Sequence, residues 1–289
     1  MALNFRPTYL NTQSIDTFIQ TALHEDIGDG DHSTLAAVPA DAQRQARLII
    51  KDTGMMAGME LASYIFHAVD PTLQVTTLIE DGSMIKYGDI GLTVTGKAQS
   101  ILQAERLVLN CMQRMSGIAT YTHQLVQLIS HTKAKLLDTR KTTPNFRLME
   151  KWAVAIGGGL NHRFGLFDMI ILKDNHIDYA GGVTQAIQAT HQYLKEKGKK
   201  LNIVVETRNL KEVEEVLQIG DITRIMLDNM PPDRMREAIT LIDGRFPTEA
   251  SGGITEETIA AVAESGVDYI SVGALTHSVK SLDISLKAF

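Results

Sequence analysis

The stretch NIVVETRNLKEVEEVLQIGDITRIMLDNM, residues 202–230, contains two short apolar runs with a helical pattern between them. Residues 203–205 and 224–227 have the composition of buried strands, and residues 210–217 repeat apolar side chains at helical spacing. Glu206 follows the first run and Asp228 follows the second. A strand, a helix and a second strand in this order indicate a parallel sheet, because a crossover helix returns the chain to the edge it started from.

The same unit recurs through the second half of the chain. Four further apolar runs are predicted strands, and three further segments are predicted helices. The strands are at 135–137, 169–172, 248–250 and 269–272, and the helices are at 182–195, 235–242 and 256–264. This alternation favours a βα barrel, and an open doubly wound sheet is the competing layout.

The first part of the chain has a mixed α and β pattern. Predicted strands lie at 47–51, 73–79 and 92–95, and a predicted helix lies at 59–69. An earlier helix is expected to begin with Ser14 as its N-cap. Residues 100–130 are expected to form one or two helices, with a break at Ser116–Gly117.

Composition excludes several classes of function. The chain has 289 residues and a formal net charge of −6, which disfavours a general nucleic-acid binder. One cysteine, Cys111, allows no internal disulfide and is expected to be a small buried hydrophobe. Residues 1–10 lack the apolar run of a signal peptide, and no stretch approaches the roughly 18 apolar residues of a membrane span. We therefore expect a cytoplasmic protein without membrane or nucleic-acid partners.

Chemistry in a parallel βα protein is expected where the strands end. The first two ends carry the cations Arg140, Lys141 and Lys173. The next two carry Glu206 and Asp228, and the last two carry glycine-rich turns at 251–253 and 273–274. Glycines let main-chain N–H groups approach a phosphate closely.

Six basic groups are predicted to converge near these strand ends. They are Arg106, Arg140, Lys141, His162, Arg163 and Lys173. Such a cluster repels itself unless a ligand with several negative charges occupies it. The two carboxylates then suggest sugar hydroxyls or Mg²⁺ between themselves and the ligand. The alternatives are that each cation makes an ordinary ion pair, and that both carboxylates pair with neighbouring cations.

At these residues the chain resembles the quinolinate phosphoribosyltransferase family, also called nicotinate-nucleotide pyrophosphorylase (carboxylating). Matching stretches follow the family order over nearly the whole chain. They are EDIGDGDHST (from 25), AERLVLN and QRMSGIATYT (104–122), LLDTRKTTP (136–144), GGGLNHRFGLFDMIILKDNHI (157–177), VVETRNL (from 204), IMLDNM (from 225), EASGGIT (from 249) and GVDYISVGALTHSVKSLDISL (266–286).

The resemblance implies an α/β fold, with an N-terminal α/β sandwich domain and a C-terminal, incomplete TIM-like βα barrel of fewer than eight strands. It implies a sandwich domain at 1–113, joined by the C-terminal tail at 276–289, and a phosphoribosyltransferase barrel domain at 114–275. It also implies a homodimer in which Arg106 reaches the active site of the other subunit.

The implied enzyme is a pentosyltransferase of NAD biosynthesis. It joins quinolinate to 5-phosphoribosyl 1-diphosphate, with Mg²⁺, and gives nicotinate mononucleotide, CO2 and diphosphate. By the family pattern Lys141, Lys173, Glu206 and Asp228 are catalytic, and Glu206 and Asp228 contact the metal, partly through water. The implied substrate contacts are Arg106, Thr139, Arg140, Lys141, His162, Arg163, Lys173, Glu206, Asp228, Ser251, Gly252, Gly253, Val272, Gly273 and Ala274.

Three alternatives remain beside this interpretation. A related pyrophosphorylase of the molybdenum-uptake type shares much of the pattern and would act on another anionic substrate. Lys173 at a barrel strand end also suits a Schiff-base aldolase. The third alternative is a metabolite-binding protein without activity. Ala155 and Leu160 stand where many relatives have Arg and His, so we assign no role to either position.

Overall fold

The computed structural model describes residues 7–289, so residues 1–6 of the stretch tested for a signal peptide lie outside the described residues. Contacts divide the chain into two compact units. The first holds the chain through His123 together with Thr142–Gly158 and Leu275–Phe289, and the second holds Gln124–Lys141 and Gly159–Ala274. The boundary drawn from the sequence at 113/114 places 142–158 with the barrel, whereas the structure groups this segment with the first unit.

Helices and strands alternate along most of the described chain. The helices are α1 Thr12–Ile27, α2 His32–Ala37, α3 Met59–Val69, α4 Ala98–Leu128, α5 Arg147–Ile156, α6 Asp174–Ala180, α7 Val183–Lys197, α8 Leu210–Ile219, α9 Pro232–Ile242, α10 Ile259–Ala263 and α11 Ala274–His277. The strands are β1 Gln43–Ile50, β2 Gly54–Met55, β3 Gln74–Thr77, β4 Met84–Ile85, β5 Ile90–Lys97, β6 Lys135–Leu137, β7 Ile170–Leu172, β8 Ile203–Thr207, β9 Arg224–Asp228, β10 Thr248–Ser251, β11 Tyr269–Ser271 and β12 Ile284–Ala288.

The first unit contains a four-stranded antiparallel sheet in the order β12-β1-β5-β3. β12 comes from the far end of the chain and pairs with β1, with Leu48 opposite Leu286. Both of those side chains are buried, as is the apolar face of α3 around Ile65 and Phe66. The mixed α and β fold predicted for the first part of the chain is confirmed.

The start of α1 corrects the predicted N-cap. The helix begins at Thr12, and Asn11 is its N-cap. The Asn11 side chain accepts the Ser14 N–H at 2.9 Å, and the Ser14 hydroxyl accepts the Asn11 N–H at 3.1 Å. Ser14 is therefore the third helical residue of a capping box, in which each partner satisfies one of the otherwise unpaired donors of the first turn.

The long helix α4 corrects a second prediction, because it runs without a break through Ser116–Gly117. A Cβ atom on Gly117 would lie 2.3 Å from the Lys280 carbonyl oxygen. The buried Ser116 hydroxyl accepts the Ala57 N–H at 3.0 Å. Ser116 and Gly117 therefore do not break the helix. Their small size allows neighbouring chain segments to lie close to it.

Gly117→Ala should test this account. Alanine raises helix propensity by about 1 kcal/mol, but forcing a methyl group into a filled space costs about 1–3 kcal/mol. With backbone so close to the new Cβ, we expect the cost to exceed the gain and the thermal unfolding midpoint to fall. Asn110→Ala, at an exposed position of the same helix, is the matched control and should not lower the midpoint. A midpoint raised by Gly117→Ala would contradict the close approach.

The second unit contains six parallel strands in the order β6-β11-β10-β9-β8-β7. Consecutive strands are neighbours except that the first, β6, lies beside the last, β11. A doubly wound sheet reverses its order in the middle, whereas this cyclic order is that of a barrel. β6 and β7 lie at opposite ends of this order, and an isolated bridge joins Leu137 of β6 to Leu160, which precedes β7 in the chain. The predicted incomplete barrel is therefore confirmed, and the doubly wound alternative is wrong.

Burial bears on the prediction for Cys111, and helix length and composition bear on membrane spans. Cys111 is buried, and this burial raises the pKa of its thiol to about 12, which confirms it as an unreactive small hydrophobe. Within residues 7–289 none of the helices has the length and apolar character that crossing a membrane requires.

Candidate active site

The carboxyl ends of the six parallel strands lie at one edge of the second unit. Glu206 is the last residue but one of β8, and Asp228 is the last residue of β9. Lys173 follows β7 directly. The sequence predicted these positions because each apolar run ends where a polar residue begins.

Asp138 organises the segment that follows β6. Its buried carboxylate accepts the His162 N–H at 2.8 Å and the Asn161 side-chain amide at 2.6 Å. A main-chain hydrogen bond joins the same two segments, because the Asp138 N–H donates to the Leu160 carbonyl at 3.1 Å. Asp138 therefore fixes the loop at residues 159–165, called the basic loop because it carries His162 and Arg163, against the end of β6.

His162 has a protein partner at each ring nitrogen. Its Nδ1 accepts the Arg163 N–H at 2.7 Å, so the ring proton is at Nε2, which lies 3.2 Å from a carboxylate oxygen of Glu249. Arg224 donates to the same Glu249 oxygen at 2.7 Å and stacks on the Tyr269 ring at 3.8 Å from its centroid. These contacts link the basic loop to strands β9, β10 and β11.

Glu249 is fully buried. Burial raises the pKa of its carboxyl, but the hydrogen bonds from His162 and Arg224 and the charge of Arg224 outweigh that effect and hold the pKa below its ordinary value. Sequence reasoning missed this residue. Its signal was a carboxylate inside the apolar run 248–250, where an unpaired charge would be very costly.

Arg140 and Arg163 carry the least satisfied charges of the site. The Nε atom of each is buried and has no hydrogen-bond partner among residues 7–289. Arg163 donates from its terminal nitrogen to the Met169 carbonyl at 3.0 Å. Burial and then the Arg140 charge lower the pKa of the Arg163 guanidinium, and Asp168 acts in the opposite direction. Two neighbouring guanidinium groups with buried, unpartnered Nε atoms suit an anion with oxygen acceptors.

Lys173 and Glu206 form an ion pair at 3.1 Å. Glu206 is buried and its other oxygen accepts the Asp174 N–H at 3.4 Å, while the Lys173 side chain is half exposed. For Glu206 the alternative of pairing with a neighbouring cation is therefore correct. Asp228 instead accepts the side-chain amide of Asn229 at 2.7 Å and is partly exposed.

The turn after β10 has the backbone that the sequence predicted for a phosphate site. Gly252 and Gly253 have φ angles of +95° and +62°, a region that favours glycine. A Cβ on Gly252 would lie 2.3 Å from the side-chain oxygen of Asn229. Neither glycine N–H has a hydrogen-bond partner in the part of the chain that the structure describes. Both donors are available to an anion.

The remaining predicted residues divide between the two units. Thr139 accepts the Lys141 N–H at 3.1 Å, and Lys141 is exposed. Val272 donates its N–H to the Leu137 carbonyl at 3.0 Å, which brings Gly273 and Ala274 to the end of β11. Arg106 is exposed on α4 in the first unit, and its place in the active site stays a prediction.

The oxygen donors of the site fit a hard cation such as Mg²⁺, which protein sites often bind through one or two carboxylates together with substrate phosphates. Among residues 7–289 no three His, Cys, Asp or Glu side chains form a metal-binding group on their own. Glu206 and Asp228 supply carboxylate oxygens at the ends of the neighbouring strands β8 and β9.

Comparison with known proteins covers nearly the whole chain. Residues 31–116 match the model of the quinolinate phosphoribosyl transferase N-terminal domain, and residues 118–287 match that of the C-terminal domain. The chain belongs to the quinolinate phosphoribosyltransferase family. The fold and the motif order expected from the resemblance are those of this family.

Relatives of this family align over most of both chains. A tobacco (Nicotiana tabacum) protein named quinolinate phosphoribosyltransferase [decarboxylating] 1b is 48% identical over 98% of this chain and 84% of its own length. A Bacillus subtilis protein named probable nicotinate-nucleotide pyrophosphorylase [carboxylating] is 43% identical over 91% of this chain and 89% of its own. The crystal structure of NadC from Streptococcus pyogenes has a TM-score of 0.90 and 40% identity, and covers 97% of this chain and 98% of that one.

Gly252→Ala should weaken the binding of a phosphate monoester such as ribose 5-phosphate, because the added methyl group meets Asn229 and displaces the turn. Calorimetry should show a loss of about tenfold or more, the effect of losing one or two charge-assisted hydrogen bonds.

The matched control is Gly244→Ala. Gly244 also has a positive φ, +69°, but nothing lies within 4 Å of its added Cβ. It shares the backbone strain of Gly252→Ala without the contact, so its phosphate affinity should stay unchanged. Equal losses in both variants would argue against a phosphate site at this turn.

Proposed function

We propose that this protein transfers the phosphoribosyl group of 5-phosphoribosyl 1-diphosphate to quinolinate with decarboxylation. The products are nicotinate mononucleotide, CO2 and diphosphate, and the reaction serves NAD biosynthesis. The names of relatives that align over most of their length support this activity. The family match and the strand-end chemistry support the same conclusion.

The observation that carries the proposal is the pair of buried, unpartnered guanidinium Nε atoms of Arg140 and Arg163. Quinolinate is a planar dicarboxylate, and the flat fork of an arginine matches a carboxylate with parallel hydrogen bonds. Lys173 adds a partly exposed ammonium group from the neighbouring strand end, and His162 forms part of the pocket wall. Bound quinolinate would remove the repulsion that the free site contains.

The sugar donor would bind at the carboxyl ends of β8, β9, β10 and β11. The main-chain donors at 251–253 and 272–274 would hold its 5-phosphate, and Lys141 would contact its diphosphate. Glu206 and Asp228 would face the ribose hydroxyls. Holding two anions side by side is itself a large part of the catalysis, because proximity turns an encounter of two repelling molecules into a step within one complex.

The bond changes then require no covalent nucleophile from the protein. The pyridine nitrogen forms a bond to the anomeric carbon as the bond to diphosphate breaks. The carboxylates of Glu206 and Asp228 stabilise positive charge on that carbon. The ring nitrogen becomes cationic and draws the electron pair that remains when the adjacent carboxylate departs as CO2, and that ring carbon then takes up a proton.

A Mg²⁺ ion, when bound, would neutralise charge on the departing diphosphate. Glu206 and Asp228 are the residues that would hold it, partly through water, because they are the carboxylates at the phosphate-facing strand ends. The ammonium of Lys173 stays paired with Glu206 at 3.1 Å, which also disfavours a Schiff-base role that needs an uncharged amine.

The proposal includes a homodimer, in which Arg106 of one subunit completes the active site of the other, and a cytoplasmic location. Exposure of Arg106 on α4 supports its availability to a second chain. Relatives from Arabidopsis thaliana and Nicotiana glauca carry the words chloroplastic and mitochondrial in their names. Cell fractionation tests the location.

The first experiment combines the purified protein with quinolinate, 5-phosphoribosyl 1-diphosphate and Mg²⁺. Chromatography should show nicotinate mononucleotide, and chelation of Mg²⁺ should abolish it. Arg140→Ala should raise the KM for quinolinate about thirtyfold or more, because removing a buried charged partner costs roughly 2–5 kcal/mol.

Arg234→Ala is the control for Arg140→Ala, since Arg234 pairs with Glu237 on the exposed surface of α9. It should leave both KM values unchanged. Product formed from another pyridine carboxylate but not from quinolinate would favour the molybdenum-uptake type of relative. Absence of any product would favour a binding protein.

Subunit sharing is tested by mixing two inactive variants, Arg106→Ala and Lys173→Ala. Each mixed dimer should have about half the activity of a native dimer, because one of its two sites carries neither substitution, and an equimolar mixture should reach about a quarter of the native activity. Exchange of subunits is checked by native mass spectrometry. Confirmed exchange without recovered activity would contradict the sharing of Arg106.

A further inference from the structure

Asn229 lies where β9 ends and has a backbone conformation that few residue types adopt readily. Its φ angle is +53°, in the left-handed region that glycine, Asn and Asp visit more easily than other residues. Its main-chain N–H donates to the Ser251 carbonyl at 2.8 Å, which continues the pairing of β9 with β10 one residue beyond Asp228. The chain therefore turns at Asn229 while it is still attached to the neighbouring strand.

The side chain of Asn229 contacts two parts of the proposed sugar-phosphate site. Its amide N–H donates to one carboxylate oxygen of Asp228 at 2.7 Å. Its amide oxygen fills the space that a Cβ on Gly252 would need, so it lies against the glycine turn at 251–253. One amide group thus touches both the carboxylate proposed for the ribose hydroxyls and the turn proposed for the 5-phosphate.

These contacts explain why this position needs Asn. Glycine would allow the left-handed backbone but has no side-chain donor for Asp228. Aspartate would place a second negative charge beside that carboxylate and repel it. Among the three residue types that suit the backbone, only Asn both keeps the conformation and donates to Asp228.

Asp228 still has an oxygen available to a ligand. Its second carboxylate oxygen has no hydrogen-bond partner within residues 7–289, and the residue is partly exposed. A carboxylate that is held at one oxygen keeps a fixed direction, so less side-chain freedom is lost when the other oxygen binds a hydroxyl group. Asn229 therefore prepares Asp228 for a sugar before the sugar arrives.

We propose that Asn229 is a positioning residue, which fixes the Asp228 carboxylate relative to the glycine turn so that a pentose 5-phosphate meets both at once. It acts on the sugar donor through Asp228 and Gly252. The inference rests on the proposed function for the identity of the donor, and it assigns a role to a residue that the analysis of strand ends passed over.

The first test is Asn229→Gly, which keeps the left-handed backbone and the hydrogen bond to Ser251 but removes the amide. Calorimetry should show the affinity for ribose 5-phosphate falling about tenfold, because the Asp228 side chain must now be ordered on binding. Inorganic phosphate meets the turn alone, so its affinity should fall about threefold or less. Unchanged affinity for ribose 5-phosphate, or an equal loss for both ligands, would overturn the proposal.

Asp243→Gly is the matched control. Asp243 also has a left-handed backbone, with a φ angle of +49°, and it lies at the exposed C-terminal end of α9. This variant gains the same backbone freedom in the unfolded chain but should bind both ligands as the native protein does. A loss similar to that of Asn229→Gly would attribute the effect to chain freedom and contradict the role of the amide.

Double variants separate positioning from direct contact with the ligand. In Asn229→Gly/Gly252→Ala the methyl group has the space that the amide occupied, so Gly252→Ala should reduce ribose 5-phosphate affinity less than it does alone. In Asn229→Gly/Asp228→Ala the loss should exceed that of Asp228→Ala by about threefold at most, because no carboxylate remains to be directed. Losses that multiply fully in both double variants would show that Asn229 binds the ligand itself.

Steady-state kinetics of Asn229→Gly provide an independent readout. We expect kcat to fall about tenfold, because the carboxylate that stabilises the cationic carbon is no longer held in place. The KM for 5-phosphoribosyl 1-diphosphate should rise, whereas the KM for quinolinate should stay within about twofold. Equal rises in both KM values would indicate a general loss of structure and contradict the proposal.

The results also distinguish this role from the proposed function. If the native protein forms no nicotinate mononucleotide but binds ribose 5-phosphate in a way that depends on Asn229, the proposed function fails and the positioning role stands. If product forms and Asn229→Gly matches the native protein in calorimetry and kinetics, the positioning role fails alone. A native protein that neither forms product nor binds ribose 5-phosphate would overturn both.

Discussion

The repulsion between two guanidinium groups governs the second unit of this protein. Arg140 and Arg163 are held near one another with buried Nε atoms that no described residue satisfies. A folded protein can maintain such an arrangement only if the surrounding structure leaves the side chains no better position. A ligand with several negative charges would supply the missing hydrogen bonds and cancel the charge, as the proposed function requires.

The acidic residues beneath the site make this arrangement tolerable. Asp138 accepts a hydrogen bond from the main chain of the basic loop, and Glu249 accepts hydrogen bonds from the side chains of His162 and Arg224. Glu206 pairs with Lys173 beside them. These carboxylates neutralise part of the positive charge of the site. The Nε atoms of Arg140 and Arg163 are left without a protein partner among the described residues.

Much of this site was predictable from the sequence because parallel strands bring distant residues to one edge. The residues that follow each apolar run fall at the strand ends, as for Lys173 and Asp228. Glu249 escaped prediction because it sits inside a strand, where pattern alone does not reveal a buried partner. Gly117 was misinterpreted for a similar reason, since the Lys280 backbone that explains it lies far along the chain. Ser14 was placed correctly at a helix start, but its exact role depended on Asn11, three residues earlier.

The pairing of β12 with β1 has a consequence for how the protein is made. β1 leaves the ribosome well before β12, so one of its two neighbours is available only after residues 51–283 have been made. Until then the open side of β1 exposes backbone groups that can pair with another nascent chain. The sheet therefore closes only after the intervening barrel strands have been synthesised, so its folding depends on a contact of very high sequence separation.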